Sequence, residues 1–221
     1  MAITVLLVAV LATIAGWWLA RQRLTAKPWL EEGLVGDFPH TEASPLPAAK
    51  LGLGVFLAVA GSLFALFASA YVMRMHMGDW RPLPTPSLLW LNTGTLVASS
   101  LALHGAQVAA GRGQPEGVRA GLLAAGLTAL LFLAGQLLAW QQLRAAGYFL
   151  ASNPASSFFF LLTAVHGLHL LGGLVALGRT MAKAWRGASL DWVRLSVELC
   201  AIYWHFLLLV WVILFAMLLH G

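Results

Sequence analysis

The sequence predicts an all-α, polytopic membrane bundle of about six transmembrane helices. Three observations carry that expectation. Of the 221 residues, 60% are hydrophobic and only 10% charged, where a soluble domain carries about 25% charged residues. The apolar residues gather into blocks of about 20, the length that crosses a bilayer. The lysines and arginines lie between those blocks, so the net charge of +5 belongs to membrane-flanking loops and implies no nucleic-acid partner. The single cysteine, Cys200, excludes an internal disulfide and a thiolate metal cluster. Inside an apolar block it reads as a small buried thiol.

Block one covers about residues 3–19. It has no basic residue before its apolar run, and Arg21 and Arg23 follow it. That is the reverse of a cleaved signal peptide, so a retained helix is expected, with Trp17 and Trp18 at the cytoplasmic interface. Residues 21–50 hold Pro28, Pro39, Pro45 and Pro47 and form the longest polar connection. Block two spans about 51–72, and the loop RMHMGDWRPLPTP after it contains three prolines that exclude a helix. Block three spans about 87–110 and leads through the turn GRGQPEGVR into block four, about 120–143. Block five covers about 154–177, a basic segment runs over 179–194, and block six covers about 195–219. The whole chain, 1–221, reads as one membrane domain.

Loops on one side carry Arg21, Arg23, Lys27, Lys50, Arg112, Arg119, Arg179, Lys183, Arg186 and Arg194; the other side has Arg74, Arg81 and Arg144. The basic excess marks the cytoplasmic side, which places both termini outside. Within lipid, helices associate by close packing of small residues. Block two offers Gly54, Ala58, Gly61, Ala65 and Ala68, and block three Thr95, Ser99, Ala102, Ala106 and Ala109. Both alternate steps of four and three, which holds a stripe towards one neighbour.

The polar residues at membrane depth are Asn92, His104, Gln107, Gln136, Gln141, Gln142, His166, His169, Glu198 and His205. Glu198 is the one acid inside the six blocks, about a turn from the start of block six. A free-standing transporter, which needs ionisable groups near the midplane, is disfavoured by that count. His166 and His169, three residues apart, share one helix face. Paired with His205 or His104 on another helix they could ligate haem iron, so a small haem-binding membrane protein is one alternative. The competing reading is inter-helix hydrogen bonding. The three phenylalanines at 158–160 and the tryptophans read as lipid-facing surface and interfacial belts. No phosphate-binding glycine loop and no Ser/His/Asp arrangement is present.

The stretch SSFFFLLTAVHGLHLLGG, residues 156–173, resembles the penultimate helix of haem-copper oxidase subunit III, with its FF, threonine, HG-x-H and glycine. The resemblance stays in register through VELCAIYWHFLLLVW: Glu198 stands seven residues before His205 of Tyr203-Trp204-His205-Phe206, and Trp211 six after it. LLWLNTGTLVASS, with Asn92 and Thr93, resembles the family's LNT…SS helix, preceded by a Trp/Pro-rich loop at Trp80. EEGLVGDFPHT…KLGL is similar to the segment before it. Where the family often carries acids, this chain has Gly61, Gln142 and Leu208.

The resemblance implies a non-catalytic accessory subunit of a haem-copper terminal oxidase (cytochrome c or quinol oxidase, proton-translocating) in aerobic respiratory electron transport. Such a subunit lies in the bacterial inner membrane, packs on subunit I within a complex that also contains subunit II, and binds phospholipid. Haem and copper belong to the partner subunits, and this chain is expected to hold no metal, cofactor or catalytic residue. A subunit III-like component of a nitric oxide reductase is the other alternative. Asn92, Thr93, His166, Gly167, His169, Glu198, Tyr203, Trp204, His205 and Trp211 carry the resemblance as structural residues. Of these, His166, His169, Glu198 and His205 are expected to form a hydrogen-bonded cluster between blocks five and six.

Overall fold

A computed structural model describes residues 48–187 and 190–220. Block one and the polar connection as far as residue 47 lie outside the described residues. Five α-helices follow one another: α1 (Ala48–Arg74), α2 (Leu88–Gly111), α3 (Pro115–Ala145), α4 (Pro154–Trp185) and α5 (Leu190–His220). They correspond to blocks two to six. Four stretches are long and apolar enough to cross a membrane: Ala48–Arg74, Pro115–Ala145, Pro154–Trp185 and Trp192–His220. The 24 residues of α2 span about 36 Å, a length that matches a bilayer, but that helix is not among the four apolar enough. That helix is the more polar because it carries Asn92, Thr93, Thr95, Ser99, Ser100, His104 and Gln107.

Several helices run past the apolar blocks that predicted them. Hydropathy marks the length matched to lipid, whereas a helix continues until the backbone is stopped. Proline occupies the first turn of α3 and of α4, where its missing N–H costs nothing. Asn153 caps α4, its side-chain oxygen accepting from Ser156 N–H at 3.0 Å. Gly113, Gly147 and Gly187 follow the ends of α2, α3 and α4 at φ values of 67°, 87° and 74°, a conformation that stops a helix and favours glycine. So α4 reaches Trp185, past the expected 177. Glu198 stands eight residues into α5, about two turns, and not one turn as expected.

The chain divides into two compact units, Met1–Ser69 and Ala70–Gly221. In the described part of the first, Ala60, Phe64 and Ala68 are buried. They form one line along α1, rotated from the expected small-residue stripe. Ala58 of that stripe is exposed and only Ala68 is buried. A large ring, Phe64, sets the buried line there.

The second unit is a ring of four helices. α2 packs on α3 and α5, and α4 packs on α3 and α5. The α2–α3 pair is the most closely joined, and here the predicted stripe on block three meets its neighbour. A Cβ at Gly117 would lie 2.9 Å from Ala109 Cβ, and one at Gly121 would lie 2.7 Å from Ala106 Cβ and 2.8 Å from the Ala102 carbonyl. At Gly135 it would collide with the Asn92 side chain. The backbones touch because those positions lack side chains. The descending order on α2 against the ascending order on α3 makes the pair antiparallel.

Residues 75–87 form the proline-containing loop. Arg74 and Asp79 form an ion pair across its start. Trp80 then folds back edge-on to Tyr71 at 5.0 Å, and Phe158 of α4 completes the cluster at 5.6 Å from Tyr71. This aromatic plug joins the loop to the start of α4. At the opposite end, the Arg119 guanidinium donates to the Ala184 carbonyl at 3.3 Å and lies over Trp185, joining the start of α3 to the end of α4.

Candidate functional site

The buried polar residues of the ring converge on its interior, and two tryptophans organise them. Trp204 and Trp211 of α5 are fully buried. The indole Nε1–H of Trp204 donates to Ser99 Oγ at 2.8 Å, and that hydroxyl donates onward to the Ala125 carbonyl at 2.7 Å. One chain of two hydrogen bonds therefore links α5, α2 and α3. Six residues earlier on α2 the motif repeats in part: Trp211 Nε1–H donates to Thr93 Oγ1 at 3.0 Å, and Thr93 donates to the Leu89 carbonyl at 2.8 Å. An indole N–H buried in apolar surroundings is costly without an acceptor. The LNT…SS helix supplies one for each ring.

His166 is fully buried on α4. Its Nε2–H donates to the Leu207 carbonyl of α5 at 3.1 Å, and its ring packs at 5.1 Å from Trp211 and 5.7 Å from Phe132. Phe132 in turn stands edge-on to Trp211 at 4.9 Å. Three helices thus meet around one imidazole. His169 Nδ1–H donates to the Val165 carbonyl of its own helix at 2.8 Å, while the Tyr203 hydroxyl donates to the His169 carbonyl at 2.8 Å. Gly173, one turn on, is where Tyr203 and Trp204 lie against the α4 backbone: a Cβ there would sit 2.7 Å from Tyr203 Cε1 and 2.8 Å from Trp204 Cζ3. Gly167 has an ordinary contact with Leu133.

The expected four-residue cluster is distributed over two faces. His166 and His169 each tie α4 to α5, one through its ring and one through its carbonyl. His205 instead donates from Nδ1 to the Ala201 carbonyl of its own helix and pairs edge-on with His104 of α2, ring centroids 5.9 Å apart. His166 is buried on α4 and His205 exposed on α5, because a ring of helices leaves each helix an inner and an outer face. Glu198 is half-buried near the start of α5.

The phenylalanines and two of the tryptophans depart from the lipid-facing expectation. Phe159 and Phe160 are buried, Phe160 lies 5.7 Å from Trp140, and Phe158 belongs to the aromatic plug. Consecutive helical residues turn about 100° each, so three rings in a row serve three different neighbours. Trp90 and Trp185, by contrast, are exposed. The residues that sequence reasoning passed over are Phe132, Gly117, Gly121 and Gly135. The signal for the glycines was present, since 117 and 121 stand four apart, as small residues do at close helix contacts.

Among the described residues no group of three or more His, Cys, Asp or Glu side chains could hold a metal ion. Cys200 is buried, with its sulfur 3.7 Å from Thr180 Oγ1. Outside the membrane, the Asp79 carboxyl is held below the usual carboxylate range by its hydrogen bond from Arg74. The arrangement in the ring is one that sets helix register: the Trp204 and Trp211 indoles, the Ser99 and Thr93 hydroxyls and the His166 imidazole are engaged with one another and with backbone carbonyls.

Against known proteins, the family model for cytochrome c oxidase subunit III matches residues 39–220. The chain belongs to the cytochrome c oxidase subunit III family. It is 30% identical over 211 residues to cytochrome c oxidase subunit 3 of Synechocystis sp., covering 88% of each chain. With the protein of the same name from Thermostichus vulcanus it shares 32% identity, over 76% of this chain and 85% of the relative. A probable cytochrome c oxidase subunit 3 of Nocardia farcinica is 35% identical over 68% of this chain and 76% of its own length. Family membership and the apolar helices together make this a multi-pass membrane protein.

Proposed function

We propose that the chain is the non-catalytic accessory subunit, subunit III, of a haem-copper terminal oxidase of aerobic respiration. The observation that carries this reading is the family match over residues 39–220 joined to what the matched residues do. Asn92, Thr93, His166, Tyr203, Trp204 and Trp211 pack four helices together, which is the work of a scaffold. In this reading the chain forms one membrane domain with six helices, block one included, in the bacterial inner membrane with both termini outside. It packs on subunit I in a complex with subunit II and holds phospholipid, while haem and copper reside in the partner subunits.

Affinity purification of the tagged full chain from its own membranes, with mass spectrometry of what accompanies it, tests the assembly. Subunits I and II are expected in stoichiometric amounts, and a preparation containing neither refutes the reading. A visible spectrum of the separated chain is expected to lack a Soret band; one haem per chain would overturn the accessory role. Replacing His166→Leu together with His169→Leu is expected to lower the yield of assembled complex, because the α4–α5 register loses its carbonyl anchor at Leu207.

A further inference from the structure

The outer face shared by α2 and α5 carries two imidazoles where lipid cannot satisfy them. His104 and His205 are both exposed, and their rings meet edge-on at 5.9 Å. His205 stands fifteen residues from Leu190 and fifteen from His220, so each end of α5 is about 22 Å away. The hydrocarbon core of a bilayer is about 30 Å thick, which places His205 near its middle and His104 beside it. Ionisable residues at that depth turn to a bundle interior or a water-filled cavity. Here the interior is occupied by Phe132, His166, Trp204 and Trp211, and these two face away from it. Because Nδ1–H of His205 is engaged with the Ala201 carbonyl, the neutral ring presents Nε2 as an acceptor. Beside the pair, Leu101 and Ile202 are exposed, and a Cβ at Gly105 would meet nothing within 4 Å, so a neighbouring helix can approach closely.

We propose that this α2–α5 face receives a transmembrane helix of another polypeptide, one that presents a hydrogen-bonding side chain at mid-membrane depth to His104 and His205. The choice of a protein partner rests on the accessory-subunit reading and deepens it by naming the face that docks. Acyl chains have no donor to offer, and lipid headgroups lie about 15 Å from the midplane. Block one of the same chain, 3–19, contains no carboxylate, amide or imidazole; its mid-block polar group is the Thr13 hydroxyl, and a helical threonine hydroxyl is drawn to the carbonyl four residues back.

The test is site-specific photo-crosslinking in native membranes, with benzoylphenylalanine placed at Leu101 or at Ile202 of the full chain and the products mapped by mass spectrometry. The expected product joins each probe to a transmembrane segment of a different polypeptide that carries a polar side chain at the level of the cross-link. Its yield is expected to fall at least tenfold in the combined His104→Leu, His205→Leu variant. A probe at the exposed Leu130 on α3 should react equally in both backgrounds, which reports that the variant is inserted and folded. Products with lipid alone, with a second copy of the chain or with residues 1–47 would each overturn the proposal, as would an unchanged yield in the double variant. If the oxidase subunits co-purify but these probes capture only lipid, the docking face is wrong and the accessory reading stands. If no oxidase subunit co-purifies while the probes still map to one membrane polypeptide, the face stands and the accessory reading falls.

Discussion

Gly172 and Gly173 are adjacent in sequence and opposite in environment, and that contrast makes a quantitative test of the α4–α5 packing. A Cβ at Gly172 meets nothing within 4 Å, whereas at Gly173 it falls 2.7–2.8 Å from the rings of Tyr203 and Trp204. Carbon atoms at rest lie about 3.5–4.0 Å apart, so Gly173→Ala must move the rings or spread the helices by nearly 1 Å. Neither ring is free to turn, since Tyr203 is bonded to the His169 carbonyl and Trp204 to Ser99. Both alanines gain the same helix propensity, about 1 kcal/mol, and this cancels when the two variants are compared. What remains is the overpacking cost at 173, about 1–3 kcal/mol, or roughly a factor of 5 to 150 in the unfolding equilibrium. The buried Cys200 is the only thiol in the chain, so a thiol-reactive fluorophore reports unfolding in detergent or nanodiscs directly. Gly172→Ala is expected to match or exceed the parent, and Gly173→Ala to unfold well before it. Equal stability of the two variants would refute the close contact.

Three further outcomes are expected. Trp204→Phe keeps most of the packing but removes the indole donor to Ser99, so it should cost about 1 kcal/mol. Combined with Ser99→Ala in a double-mutant cycle, it should show a coupling of about 0.6 kcal/mol and no more than about 1.7, read by the same thiol assay. Among the described residues neither amide atom of Gln136 has a hydrogen-bond partner, and the side chain is buried. Gln136→Leu should therefore raise stability by about 1–3 kcal/mol, and a loss in the thermal midpoint would contradict that. The Arg74–Asp79 pair lowers the Asp79 pKa, so its contribution is present above the unfolded carboxylate value of about 3.9 and is lost as pH falls through the lower folded value. Hydrogen exchange of residues 75–80 should be unaltered by protonation of this pair down to about pH 4 and accelerate below it, and Asp79→Asn should remove that transition.

Composition and block length were enough to reveal a helical membrane protein and the order of blocks two to six. Those properties depend on how much apolar surface each segment carries and how long it is, both of which are local. Family resemblance was legible for a related reason: Asn92, His166, Gly173, Tyr203, Trp204 and Trp211 sit where two helices meet, and such contacts tolerate few residue types. The direction in which each side chain points was decided only by the tertiary structure. The phenylalanines at 158–160 and the indoles of Trp204 and Trp211 read as lipid-facing or interfacial because every face of a membrane helix is apolar. Hydrophobic periodicity then has little contrast between a face towards lipid and a face towards protein. For the same reason four histidines that looked alike in sequence separate into an interior anchor, a carbonyl contact and an outward-facing pair. Closing four helices into a ring puts His166 among Phe132, Leu207 and Trp211, and leaves His104 and His205 outside it.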